Sequence, residues 1–151
     1  MIYQLKRSQT IPASLEEVWA YFSRPENLNE ITPPDLKFQI LLGGDQPMYQ
    51  GQLMAYRIQL FPLFRTSWLT EITQVREPLY FADQQRLGPY RFWLHEHHFR
   101  AVPAGVEMGD QVTYQLPLGF LGDLVHTILI GPRLERIFDY RAEKIAEIFP
   151  G

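Results

Sequence analysis

The last third of the chain, Asp123 to Phe149, constrains the fold more than any other stretch. Its apolar residues Leu124, Val125, Ile128, Leu129, Leu134, Ile137, Phe138, Ile145 and Phe149 recur mostly at three- and four-residue steps. That spacing gathers them on one broad face of a helix. Asp123, directly after Gly122, reads as the N-terminal cap or a first-turn residue. Gly131-Pro132 interrupts the run, so a kink is expected there, or a restart with Pro132 in the first turn of a second helix. At the usual helical rise, Pro132 to Phe149 would span about 27 Å. Almost everything upstream reads as strand. Residues 1–120 must therefore supply a sheet long enough to receive that helix.

Taken in order, residues 2–11 alternate as a first strand, which Pro12 ends. Ser14 with Glu17 three residues on forms a capping box for a short helix whose inner side is Val18, Trp19 and Phe22. A second helical turn through Glu26–Ile31 stops at Thr32-Pro33-Pro34. Strands are then expected over Leu36–Leu42, Leu53–Phe61, Arg65–Val75, Leu79–Arg86, Arg91–Val102 and Val106–Leu116. The turns between them are short, which predicts an antiparallel meander. The expected architecture is α+β: a curved sheet of about seven strands, two short helices after the first strand, and a long C-terminal helix closing the open face over a cavity.

At 151 residues the chain fits a single domain, 1–151, with material for a sizeable core. Ten Phe, eight Tyr and three Trp suit either a densely filled core or one built around an aromatic-lined cavity. The net charge is -3, and the 14 basic side chains, with Lys6, Lys37 and Lys144 the only lysines, are scattered. That distribution argues against nucleic-acid binding, which needs a basic stripe. Without cysteine there are no disulfides, thiolate metal sites or thiol nucleophiles. The opening MIYQLKR lacks the apolar core of a signal peptide and no stretch reaches transmembrane length. A cytoplasmic protein with no integral membrane segment is expected.

This order of elements resembles the START-like, or helix-grip, superfamily, also labelled SRPBCC, which includes birch-pollen allergen-like proteins and polyketide aromatase/cyclase domains. Three segments resemble a bacterial ligand-binding subgroup sometimes labelled cell-division inhibitors. They are Gly88-Pro89-Tyr90 leading to Trp93-Leu94-His95-Glu96-His97-His98-Phe99, then Asp110-Gln111-Val112-Thr113-Tyr114 with Pro117-Leu118-Gly119, and Ile137-Phe138-Asp139-Tyr140-Arg141. The resemblance implies a hydrophobic or amphipathic small molecule, such as a lipid or polyketide, held between sheet and helix.

The sixth strand carries the most informative chemistry. Trp93, His95, His97 and Phe99 share one of its faces. A tight turn at Pro103–Gly105 would set His97 opposite Asp110, His95 opposite Val112 and Trp93 opposite Tyr114. A tight turn at Gly88-Pro89 would set Asp83 beside His95 and Gln85 beside Trp93. A slip of one residue would scatter this row. The row fits three roles: cross-strand pairs that hold the sheet, polar lining that orients a ligand, or a His–Asp acid–base set of the kind a cyclase needs.

The expected ligand-contacting set is Trp68, Asp83, Gln85, Trp93, His95, His97, Asp110, Tyr114, Phe138 and Arg141, with His95, His97, Asp83 and Asp110 as candidates for catalysis. Trp19, Phe22 and Trp68 read first as core, and Arg141 reads first as a helix-surface partner of Asp139 or Glu135. Arg57 and Arg65 read as solvated, and His126 as a structural histidine. Two histidines and one carboxylate, without cysteine or a helical HExxH set, do not predict a metal. No metal and no cofactor is expected. The loop 43–51 and the Pro62–Phe64 connection are expected at the cavity mouth. The expected function is binding of a small hydrophobic ligand; the alternatives are an aromatase/cyclase-like enzyme or an interaction module linked to cell division.

Overall fold

The computed structural model describes residues 1–151. Strand β1 (Tyr3–Ile11) is followed by helix α1 (Leu15–Phe22) and two 3-10 turns, Pro25–Asn29 and Pro34–Leu36. Six strands follow: β2 (Gln39–Leu42), β3 (Leu53–Phe61), β4 (Phe64–Arg76), β5 (Tyr80–Leu87), β6 (Phe92–Val102) and β7 (Gly105–Gln115). Helix α2 (Gly119–Val125) runs through a π turn (His126–Ile130) into helix α3 (Gly131–Ile148). The strands form one antiparallel sheet in the order β1-β7-β6-β5-β4-β3-β2, so β1 returns beside the last strand of a meander. Register shifts interrupt the β2–β3, β3–β4 and β4–β5 ladders. Such bulges bend the strands that carry them, which gives the sheet its curvature.

Side-chain alternation decides which face is interior. Along β7 the buried residues are Val106, Met108, Asp110, Val112 and Tyr114; along β6 they are Trp93, His95, His97 and Phe99. Helix α3 packs on this face through Leu134, Phe138 and Ile145. The apolar interior divides into two clusters. One gathers Trp68, Trp93, Val112, Tyr114, Leu134 and Phe138; the other gathers Trp19, Phe81, Phe99, Val106, Met108 and Ile145. On β6, β7 and α3 alike, the residues between the two clusters are polar: His95 and His97, Asp110, and Arg141.

Several boundaries differ from expectation. Leu36 does not open a strand: it ends a 3-10 turn, and Lys37 takes a left-handed backbone, so β2 begins only at Gln39. Asp123 is not a helix cap. The helix starts four residues earlier, after a left-handed Leu118, and Asp123 accepts from the Tyr3 hydroxyl at 2.8 Å and from the N-terminal ammonium at 3.2 Å. Gly131-Pro132 does open a new helix, with Pro132 in the first turn of α3 as the restart reading expects, and the wide turn just before it joins α3 to α2 without a gap. The capping box forms as read, Ser14 Oγ accepting from Glu17 N and Glu17 accepting from Ser14 N. No helix is long and apolar enough to cross a membrane. The α2 segment and the π turn nevertheless expose Leu118, Phe120, Leu124 and Ile128.

Candidate ligand-binding site

Between the sheet and α3 lies a partly enclosed cavity of about 150 Å³. Strand β3 contributes Met54, Tyr56, Ile58 and Leu60; β4 contributes Trp68, Thr70 and Ile72, each set at the two-residue spacing of a single face. Helix α3 contributes Leu134, Ile137, Phe138 and Arg141 at helical spacing. The segment between α1 and β2 covers the rest with Leu28, Ile31, Leu36 and Phe38. Its tie to α3 is an ion pair, Arg133 to Asp35, at 2.7 Å. Met48 brings the 43–51 loop to the lining.

The polar row stands in this wall. The strand register sets Asp83 opposite His95, and His97 opposite Asp110, as the two turns require. The side chains then reach diagonally: His95 Nε2 is 2.7 Å from Asp110 Oδ1, and His97 Nε2 is 2.9 Å from Asp83 Oδ2. His97 Nδ1 lies 3.4 Å from Asp110 Oδ1, and the two imidazoles stack with centroids 3.8 Å apart. Each imidazole thus has a carboxylate at Nε2, an arrangement that holds ring orientation and tautomer together.

Burial and the neighbouring His95 push His97 down to about 4, against the upward pull of Asp83 and Asp110, so its ring is neutral at pH 7. Burial by itself raises both carboxyls. It is outweighed at Asp83 by the hydrogen bond from His97, and at Asp110 by the one from His95, with help from Arg141, so both lie below the ordinary carboxylate range.

Of the residues expected to contact a ligand, Trp68, Asp83, Trp93, His95, His97, Phe138 and Arg141 line the cavity. Asp110 faces a second, smaller cavity of about 40 Å³ between β1 and α3, and Phe138 and Arg141 line both. Gln85 and Tyr114 are engaged elsewhere. The Gln85 amide donates to Tyr90 O at 2.7 Å and accepts from Tyr90 N, fixing the turn into β6. The Tyr114 hydroxyl is 2.6 Å from His126 Nε2, and His126 stacks on Tyr3 at 3.5 Å, which gives that histidine a structural place. Arg141 is not a helix-surface pair, because Glu135 and Asp139 are both taken by Arg7 from β1. Instead it points inward, its Nη1 3.9 Å from Asp110 Oδ1. The Nε–H groups of Arg141 and Arg133 and the Trp68 indole N–H are buried without a hydrogen-bond partner.

Sequence reasoning missed Thr70, a buried polar residue on the cavity wall whose hydroxyl donates to Gln84 O at 3.0 Å. Its place midway between Trp68 and Ile72 was the available signal. The donor atoms of Asp83, His95 and His97 lie within 4.8 Å of one another. Close as they are, the histidine rings are stacked rather than splayed around a common point, and each Nε2 is already bonded to a carboxylate.

No protein-family profile and no curated protein matches the chain. Solved structures do. The chain is similar to the Zhui aromatase/cyclase from Streptomyces sp. R1128, with a TM-score of 0.76 at 15% identity over 99% of this chain and 94% of that one. The fold is the START-like helix grip. Protein CV1439 from Chromobacterium violaceum superposes with a TM-score of 0.70 at 10% identity, covering 98% of each chain. Ara h 8.0201 does so at 0.65 and 14% identity, covering 97% of this chain and 99% of the other.

Proposed function

We propose that the protein binds a small hydrophobic or amphipathic molecule in the cavity between the sheet and α3. The observation that carries this reading is an apolar, aromatic-lined space of about 150 Å³ whose charged and titratable side chains, Asp83, His95, His97 and Arg141, stand together in one row. Ligand sites have this composition: a mostly apolar wall with a few placed polar groups that fix orientation. A core that merely needed filling would have Leu and Phe where β6, β7 and α3 carry His95, Asp110 and Arg141.

The direct test is native mass spectrometry of protein purified from its own source, followed by denaturing extraction. A discrete co-purifying small molecule is expected. Protein that is empty, and that also fails to bind fluorescent apolar probes, contradicts the reading.

A second reading, an acid–base enzyme of the aromatase/cyclase kind, is favoured by one observation. His95 and His97 stand in the cavity wall with carboxylates at 2.7 and 2.9 Å, the geometry of an oriented general base. Under that reading His95→Gln abolishes turnover of the extracted molecule while leaving its binding intact. Equal handling of the molecule by both proteins supports the carrier.

A further inference from the structure

Arg141 has its charge balanced and its hydrogen bonds unmade. The side chain is 14% exposed, and its guanidinium stands over the Phe138 ring at 4.9 Å. The buried Nε–H has no partner. Its nearest carboxylate oxygen, Asp110 Oδ1, is 3.9 Å from Nη1, beyond hydrogen-bond reach. Buried donors left in this state are costly, so whatever enters the cavity gains by offering them an oxygen.

The charges nearby limit what that oxygen belongs to. Asp83 and Asp110 both stay ionised, each with Arg141 among the groups that hold it so, and His97 stays neutral. The guanidinium therefore already faces two negative charges. What it lacks is acceptors, not a counter-ion. A carboxylate ligand would add a third negative charge in a poorly solvated wall. An uncharged carbonyl oxygen brings two lone pairs and no net charge.

The space sets the size. A cavity of about 150 Å³ is comparable to one that accepts a single benzene ring. We propose that the ligand is an uncharged carbonyl compound, a ketone, ester, lactone or amide with an apolar body about the size of one ring, whose oxygen accepts from Arg141. This deepens the ligand-binding reading and rests on it.

The test uses three probes of matched size in calorimetric titrations: isopropylbenzene (apolar), acetophenone (neutral carbonyl) and benzoate (anionic). The proposal expects acetophenone to bind about tenfold more tightly than either of the others, the scale of a hydrogen bond to a charged donor. Arg141→Met is expected to erase the advantage over isopropylbenzene. Because that change leaves Asp83 and Asp110 without their cation, a second measurement on the unaltered protein accompanies it. The Arg141 Nε–H resonance is expected to shift with acetophenone and not with isopropylbenzene. Equal binding of all three probes, or tightest binding of benzoate, overturns the carbonyl assignment and leaves the cavity reading standing. Failure of all three to bind overturns both.

Discussion

His95 and His97 reach two aspartates because of strand periodicity. Residues two apart on β6 point the same way, and Asp83 on β5 and Asp110 on β7 point with them. Burying this set makes stability depend on pH in a particular direction. A histidine whose folded value is lowered to about 4 binds fewer protons than it does in the unfolded chain between that value and its ordinary 6.5. Stability therefore falls as pH drops through that window, by about 3 kcal/mol in all. Burial sets most of this, followed by His95 on the same strand; Asp83 from β5 and Asp110 from β7 pull the other way. Urea unfolding at pH 7 and pH 4.5 is expected to show the loss, and His97→Gln to remove most of it. An unchanged slope in the variant contradicts the assignment. The histidine row was legible in the sequence, since alternation along β6 and two tight turns determine it. Arg141 was legible only in part: three residues after Phe138 and four before Ile145 is an inward spacing, which puts it in the expected ligand-contacting set, but acids at Glu135 and Asp139 make a helix-surface pair the first reading. Only the tertiary approach of Arg7 to those acids releases it.

The elements near the C-terminus depend on close backbone approach rather than propensity. Gly122 lies inside α2, where alanine is ordinarily the better helix former. A Cβ there would come within 2.1 Å of Pro117 O, a backbone atom with no freedom to rotate away. Gly122→Ala is therefore expected to destabilise by about 1–3 kcal/mol in denaturant unfolding, the cost of overpacking. A gain in stability would mean that propensity governs and that the approach to Pro117 is loose. The same region shows where sequence reading loses its grip. Hydrophobic spacing located the long helix but not its start, because Leu118 and Gly119 take left-handed backbones that no pattern of apolar residues announces. It also misplaced Leu36, since 3-10 turns bounded by proline share composition with strand ends. Strands β3 to β7, bounded by tight turns, fall within a residue of their expected limits, β6 and β7 with the clearest alternation.

At the scale of the whole molecule, one design accounts for both the core and the cavity. The bulged sheet and α3 enclose two apolar clusters, and the polar row separates them. The space left on the β3–β4 side of that row is closed by the segment between α1 and β2. A competing apolar surface lies outside, on Leu118, Leu124 and Ile128. The proposed site requires that apolar molecules enter the interior rather than coat that outer face. Methyl-labelled isoleucine and leucine, followed by NMR during titration with isopropylbenzene, separate the two directly. Saturable shifts are predicted at the cavity-lining methyls, Ile31, Ile72 and Leu134 among them, with Leu118, Leu124 and Ile128 unmoved. Shifts at Leu118, Leu124 and Ile128 with the cavity-lining methyls unmoved would contradict it.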